Sequence, residues 1–208
     1  MEKEGIISPV TELTDWCAPM VVVPKKNNAV RICVDFTHLN KSVCRERHIL
    51  PAVDENLAKF PHAKYFTCLD ACSGFWQIPL SSESRLSTTF ISPIGRFCFN
   101  RFPFGISSAP EHFQRRMSQV LDSLPGVVWH MDDILVYGAT EHEHDSRLTA
   151  VLQRLQDAGI TLNADKCQFS EERVTFLGHV VDRHGVHAGP EKLRAQWRSC
   201  SMAARGGP

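Results

Sequence analysis

The chain has 208 residues, 43% apolar and 22% charged, an ordinary globular composition that excludes a collagen, a coiled coil and wholesale disorder. Lysine plus arginine and aspartate plus glutamate number 23 each, so the formal charge is zero. That excludes a uniformly basic nucleic-acid binder but leaves room for local patches of opposite sign.

The eight cysteines show no C-x-x-C pair and no zinc-site spacing; most lie in apolar runs, where a free thiol behaves as a small hydrophobe. Met1 to Gly5 is charged and is followed by no apolar h-region, and no run reaches the ~18 apolar residues of a membrane span. A cytoplasmic or nuclear, reducing location without signal peptide or transmembrane segment is therefore expected.

In chain order, residues 18–24 (Ala-Pro-Met-Val-Val-Val-Pro) and 30–36 (Val-Arg-Ile-Cys-Val-Asp-Phe) read as two strands joined by an Asn-bearing turn. That hairpin puts Lys25 and Lys26 at its tip. Arg31, Lys41, Arg45 and Arg47 join them in a modest basic stretch against Asp35 and Glu46, equally readable as a solvated face. A helix follows Pro51, with Val53, Leu57 and Phe60 at helical spacing. Residues 65–70 form a strand ending in Asp70, and Gly74 interrupts before the apolar stretch from Phe75 to Leu80. A second hairpin turns at Ser92-Pro93-Ile94-Gly95. Ser108 caps a helix running to about Leu121, with Phe113, Met117, Val120 and Leu121 on one face, and Pro125-Gly126 breaks it.

Residues 127–137 (Val-Val-Trp-His-Met-Asp-Asp-Ile-Leu-Val-Tyr) carry most information. Two adjacent acids inside a buried strand are heavily desolvated, so Asp132 and Asp133 belong in a tight turn between two buried strands. A helix from about His142 to Ala158 ends at Gly159. Short strands follow at 160–162, 174–178 and 179–181, with a turn at 183–185. The tail 197–208 turns small and basic, and poor order is expected there.

Three carboxylates brought together without a basic partner raise one another's pKa, and divalent cations remove that cost. Mg²⁺ takes one or two carboxylates and completes its octahedron with water and phosphate oxygens, the demand of nucleotidyl transfer. The bland reading is equally simple: turn acids that bond their own backbone. His142 and His144, two apart at a helix start, read as solvated helix-end residues. His179, His184 and His187 flank a turn without a third ligand. Hydrolase, P-loop and Rossmann patterns are missing.

Several segments taken in order resemble gypsy-type long-terminal-repeat retrotransposon reverse transcriptases. They are Arg31-Ile32-Cys33-Val34-Asp35-Phe36 with Leu39-Asn40-Lys41, and Leu69-Asp70-Ala71-Cys72-Ser73-Gly74-Phe75-Trp76-Gln77-Ile78. Further along come Phe102-Pro103-Phe104-Gly105-Ile106-Ser107-Ser108-Ala109-Pro110 and Trp129-His130-Met131-Asp132-Asp133. Leu162-Asn163 with Lys166-Cys167, and Phe176-Leu177-Gly178-His179, complete the series. The resemblance spans residues 4 to about 196.

It implies an α+β fold, an antiparallel palm sheet packed on helices with a fingers subdomain. The domain would run 1–196, fingers about 1–60 and 81–105, palm about 61–80 and 106–196, without a thumb. It implies RNA-directed DNA polymerisation on an RNA or DNA template with primer, consuming dNTP, with two Mg²⁺ or Mn²⁺ ions on Asp70, Asp132 and Asp133. Lys25 or Lys26, with Arg31, would reach the triphosphate, and the backbone of Ala71 would add a ligand. Phe75 would abut the sugar C2′, although as a bare residue it reads as a core aromatic. Phe104 and Gly105 would shape the nucleotide pocket. His130, Met131, Leu177 and Gly178 would meet the primer–template.

Two departures stand out. His130 replaces the family's usual Tyr, and after Arg194, where the family continues into thumb, connection and ribonuclease H, this chain changes character at about Trp197. The rival reading is an inactive or domesticated remnant with at most weak nucleic-acid binding, whose parent polyprotein carries the ribonuclease H. No membrane partner is expected, and oligomeric state is left open.

Overall fold

The computed structural model of the chain describes residues 1–24, 30–45 and 62–189. Lys25, Lys26, the expected helix with Val53, Leu57 and Phe60, and the tail 197–208 lie outside the described residues. The chain divides into two compact units, residues 1–49 with 73–116 and residues 50–72 with 117–208.

The first unit is built on a five-stranded sheet. Its strands are β1 (Ile7–Pro9), β2 (Ala18–Pro24), β3 (Val30–Val34), β5 (Phe90–Ser92) and β6 (Gly95–Phe99), in the order β1-β6-β5-β2-β3. The expected hairpins form: β2 pairs β3 from Met20↔Val34 to Pro24↔Val30, and β5 pairs β6 with Ser92↔Gly95 closing the turn. The sequence reading missed the parallel pairing of β2 with β5 through Ala18↔Phe90. It also missed β1 and a short helix, α1 (Ser82–Ser87), capped by Ser81.

An aromatic core of Phe36, Phe90, Phe97, Phe99 and Phe102 holds this unit, with Ala18, Val34, Ile106 and Ala109 between the rings. Trp16, Phe75, Ile78 and Leu80 pack on its margin. Buried Thr88 is satisfied twice, donating to the Arg85 carbonyl at 2.6 Å and accepting from the Phe99 N–H at 2.9 Å. Beyond Met20 the β2–β3 hairpin leaves this core, and Val21, Val22, Val23, Val30 and Ile32 are exposed.

In the second unit β4 (Tyr65–Asp70), β7 (Val127–His130), β8 (Asp133–Gly138) and β9 (Gln168–Glu171) form a sheet in the order β7-β8-β4-β9. Helix α2 (Ala109–Leu121) carries Met117 and Leu121, fully buried, into this unit, and α3 (Glu141–Asp157) adds Val151 and Leu155. A small meander, β10 (Arg173–Phe176), β11 (His179–Asp182) and β12 (Gly185–Ala188), supplies Val174, Phe176 and Val181. These pack with Phe66, Val128 and Leu135. Ile134, Leu135 and Val136 are all buried, as expected of a central strand covered on both faces. The strand expected at 160–162 does not form; Leu162 makes only an isolated bridge with Ala71.

Helix α3 starts where expected. Thr140 caps it by accepting from the Glu143 N–H at 3.2 Å, while Glu143 reaches back to the Ala139 N–H at 2.8 Å, a reciprocal cap of the capping-box kind. Gly138 is required at the strand end. A Cβ there would lie 2.7 Å from the His144 nitrogen.

His144 corrects the solvated reading of this helix start, for it is fully buried. The Ser170 N–H donates to Thr67 Oγ1 at 3.0 Å. His144 Nδ1–H donates to the Asp145 carboxylate at 2.9 Å, and in that tautomer Nε2 accepts from the Thr67 hydroxyl at 2.9 Å. The chain of bonds ties α3, β4 and β9 together. His144→Leu removes the acceptor of a buried hydroxyl and is expected to cost about 1–3 kcal/mol. Urea unfolding checks this as a lower midpoint at unchanged slope; an unmoved midpoint would show the network to be neutral.

Candidate functional site

β4 and β8 pair in unbroken register from Tyr65↔Gly138 to Asp70↔Asp133, and β8 meets β7 through His130↔Asp133. Since side chains alternate along a strand, Asp70 shares the face of Phe66 and Cys68, and Asp133 that of Leu135. His130, Asp133 and Asp70 therefore form a row across three neighbouring strands. Asp132 sits beside that row in the two-residue turn between β7 and β8.

Backbone bonds fix the end of β4 on both sides. The Ala71 N–H donates to the Asp132 carbonyl at 2.8 Å; the Asn163 N–H donates to the Asp70 carbonyl at 2.9 Å, and the Cys72 N–H to the Thr161 carbonyl at 3.0 Å. In the turn, Met131 has φ +57°, at the position where type II′ hairpins take glycine. A side chain held there stores about 1–3 kcal/mol of strain.

Like charges directly opposite each other destabilise a sheet. Asp133 shows it: desolvation, then the charges of Asp132 and Asp70, push its carboxyl above the ordinary range, with Lys166 and His130 acting the other way. Asp70 has a cationic partner in the Lys166 ammonium, which donates to Oδ1 at 3.0 Å and Oδ2 at 2.9 Å. A cavity of about 370 Å³ opens here, lined by Asp70, Asp133, Asp165, Lys166, Cys68, Cys167 and Phe176 among others. Burial, then the charges of Asp133 and Cys167, push the Cys68 thiol up to about 12, which leaves it an inert lining group.

Among the described residues no three His, Cys, Asp or Glu side chains stand ready-gathered around a metal position. The donor set nevertheless suits a hard, oxygen-seeking divalent cation, because three carboxylates face one ammonium and a negative excess remains.

The remaining expected residues fall into two groups. Ala71 is buried beside Asp70, and His130 Nδ1 is buried with no hydrogen-bond partner among the described residues. Leu177 and Gly178 form the turn between β10 and β11 at φ +50° and +75°, with Leu177 against the Phe66 cluster. Met131 and these residues share the second unit with the carboxylates.

In the first unit Phe75 lies on a 3-10 turn (Gly74–Gln77) with its ring 5.0 Å from Phe104 and 5.8 Å from Phe113. Trp76 stands edge-on to Phe104 at 5.5 Å, and Phe104 remains 50% exposed. Arg31 lies on β3 opposite Val23.

Two residues quoted in the sequence only as parts of motifs acquire definite tasks. Lys166 is one. Asn40 is the other: its Nδ2 donates to the Gly105 carbonyl at 2.8 Å, and its Oδ1 accepts the Ser107 N–H at 2.8 Å. It thereby clamps the loop carrying Phe104, and Gly105 at φ +97° takes a conformation that glycine alone adopts freely. No local pattern announces either contact, because each partner is remote in sequence.

Residues 23–181 match the family described as reverse transcriptase (RNA-dependent DNA polymerase). The chain is 35% identical over 202 residues to the retrovirus-related Pol polyprotein from transposon 297 of Drosophila melanogaster, covering 94% of this chain and 19% of that protein. It is 34% identical over 201 residues to the Pol polyprotein from transposon gypsy of the same organism, covering 93% and 19%. The transposon Tf2-3 polyprotein of Schizosaccharomyces pombe is 34% identical over 200 residues, covering 94% and 15%. This chain thus spans a fifth or less of these relatives.

Among solved structures, the foamy viral protease–reverse transcriptase in complex with an RNA/DNA hybrid superposes with a TM-score of 0.83 at 26% identity, over 91% of this chain and 25% of that one. Its form with double-stranded DNA gives 0.84 at 26% identity, over 91% and 33%. No helix among the described residues is long and apolar enough to cross a membrane. With its fingers-and-palm fold, the chain belongs to the reverse transcriptase family, beside the Pol polyproteins of LTR retrotransposons.

Proposed function

We propose that this chain carries the nucleotidyl-transfer centre of a gypsy-type retrotransposon reverse transcriptase, joining deoxynucleotides to a primer 3′-hydroxyl on an RNA or DNA template. The observation that carries this reading is the cross-strand pair Asp70↔Asp133 with Asp132 in the adjoining turn. Asp70, Asp132 and Asp133 would hold two Mg²⁺ or Mn²⁺ ions. Bound there, such ions supply charge stabilisation for the attacking hydroxyl and for the departing pyrophosphate.

The chain's own residues position the rest. The half-exposed Phe104 ring, propped by Phe75 and Trp76 and held by the Asn40 clamp, offers a flat apolar wall to the nucleotide. Phe75, backed by Phe113, is a firm stop where a ribose 2′-hydroxyl would need space. The backbone of Ala71 adds to the metal pocket. Arg31 with Lys25 or Lys26 neutralises the triphosphate. His130, Met131, Leu177 and Gly178 orient the primer–template beside the carboxylates. The first unit is read as fingers and the second as palm.

Purified chain supplied with primed template, dNTPs and Mg²⁺ is expected to extend the primer. Asp132→Asn lowers extension at least about a hundredfold, the equivalent of several kcal/mol of lost transition-state stabilisation. Equal incorporation by both proteins removes Asp132 from the site. Failure of both, with primer–template affinity insensitive to salt, favours the inactive remnant.

The raised carboxyl of Asp133 makes a second prediction. An acid that binds its proton more tightly in the folded than in the unfolded chain stabilises the fold at low pH. That contribution disappears as pH rises from the ordinary aspartate pKa of about 3.9 through the higher folded value. Metal-free Asp133→Asn is therefore expected to melt above the wild type at neutral pH and to converge with it below about pH 4. Added Mg²⁺ should raise the wild type more than the variant. A variant that melts lower at neutral pH contradicts this.

A further inference from the structure

We infer that Lys166 is a resident counter-cation: it holds Asp70 in the metal-free chain and is exchanged for a divalent ion when the site loads. This rests on reading Asp70 as a metal ligand.

Three features of the contact support an exchange rather than a permanent ion pair. First, the ammonium engages both carboxylate oxygens of Asp70, at 3.0 and 2.9 Å. Held in this way, Asp70 has a lone pair of each oxygen engaged and a positive charge beside it, so an incoming cation meets both competition and repulsion. Second, the two ends of the pair differ in freedom. The Asp70 side chain is 16% exposed and that of Lys166 61%. Asp70 lies on a strand whose end is bonded on both sides. Lys166, by contrast, has a flexible four-carbon stem, and its strongly hydrated head can withdraw into water at little cost.

Third, the 3-10 turn bearing Lys166 (Ala164–Lys166) is anchored to Asp70 itself. The Asn163 N–H donates to the Asp70 carbonyl at 2.9 Å, and the Lys166 N–H to the Asn163 carbonyl at 3.0 Å. The ammonium is thus tethered within reach of the carboxylate although 96 residues separate the two in sequence. It returns whenever the ion leaves.

Lys166 is accordingly a positioning residue that acts through Asp70. It keeps the like-charged row assembled before loading and sets a threshold that an incoming cation must exceed. Arginine at this position would present a planar fork that binds carboxylate bidentately and less exchangeably. Methionine keeps the stem and removes the competitor. The two substitutions should therefore move metal affinity in opposite directions, which a merely structural role for the side chain would not do.

The test is a Mn²⁺ titration of the full chain, following free Mn²⁺ by electron paramagnetic resonance, for the wild type, Lys166→Met, Lys166→Arg and Asp132→Asn. Lys166→Met is expected to bind Mn²⁺ about 1.5- to fivefold more tightly, the range spanned by an exposed ion pair. Lys166→Arg should bind it more weakly than the wild type, and Asp132→Asn more weakly still. A tightened Lys166→Met together with an unchanged Lys166→Arg would indicate through-space repulsion and overturn the exchange. Unchanged affinity in Lys166→Met, with Asp132→Asn impaired, overturns it while leaving the metal reading intact. If neither the wild type nor Asp132→Asn binds Mn²⁺, the metal reading fails and the exchange fails with it.

Discussion

Two carboxylates face each other across β4 and β8 with a third in the adjoining turn, and much of the second unit is arranged around that repulsion. Acids paired in this way cannot sit mid-sheet, where burial would leave their charge uncompensated. Here they stand at the strand ends, where the sheet stops and a cavity opens. Behind them Ile134, Leu135 and Val136 of β8 and Phe66 and Leu69 of β4 are buried, so the register that pairs the acids is fixed by apolar packing. A slip of one residue would exchange side chains between two differently packed faces and unpair the acids. The core therefore sets where the charges stand, and Lys166 and the turn deal with the consequences.

Much of this was legible in the sequence because it is local. Val-Val-Val-Pro and Val-Arg-Ile-Cys-Val read as strands through their β-branched residues, and both hairpins appear near the expected bounds. Apolar runs around Asp132-Asp133 put both acids in a turn; Asp132 lies there, whereas Asp133 begins β8, because its backbone pairs with His130. What remained hidden depends on contacts between remote residues. His144 looked solvated because acids surround it at a helix start, yet Gly138 lets the helix approach the strand closely enough to bury the ring against Thr67. Asn40 and Lys166 look like any polar residue in a turn until the fold delivers Gly105 and Asp70 to them. The parallel pairing of β2 with β5 left no mark either, since periodicity reports a strand but not its neighbour.

Two turns beside the site carry side chains in the left-handed region, Met131 before the acids and Leu177 in the β10–β11 turn. Glycine would relieve both. Met131 is trapped between the paired residues His130 and Asp133, and Leu177 between Phe176 and His179. In each case the flanking pairs over-determine the backbone. Such strain persists only where the surrounding structure imposes it, so these tips are stiff, and stiffness suits groups that must hold position within fractions of an ångström.

The place of β4 in the chain has a consequence for biogenesis. It occupies Tyr65–Asp70, between the two sequence segments of the first unit, yet its partners β8 and β9 lie at Asp133–Gly138 and Gln168–Glu171. At ribosomal rates of roughly 5–20 residues per second, the strand waits on the order of ten seconds for its second neighbour to emerge. During that interval Phe66 lacks the part of its cover supplied by Val174, Phe176 and Val181, and pairings this distant are intrinsically slow to close. The nascent chain is thus most vulnerable to aggregation before β9 appears. The carboxylate row is a late product of translation, and a ribosome stalled within α3 would hold all three acids with β4 still unpaired on its β9 side.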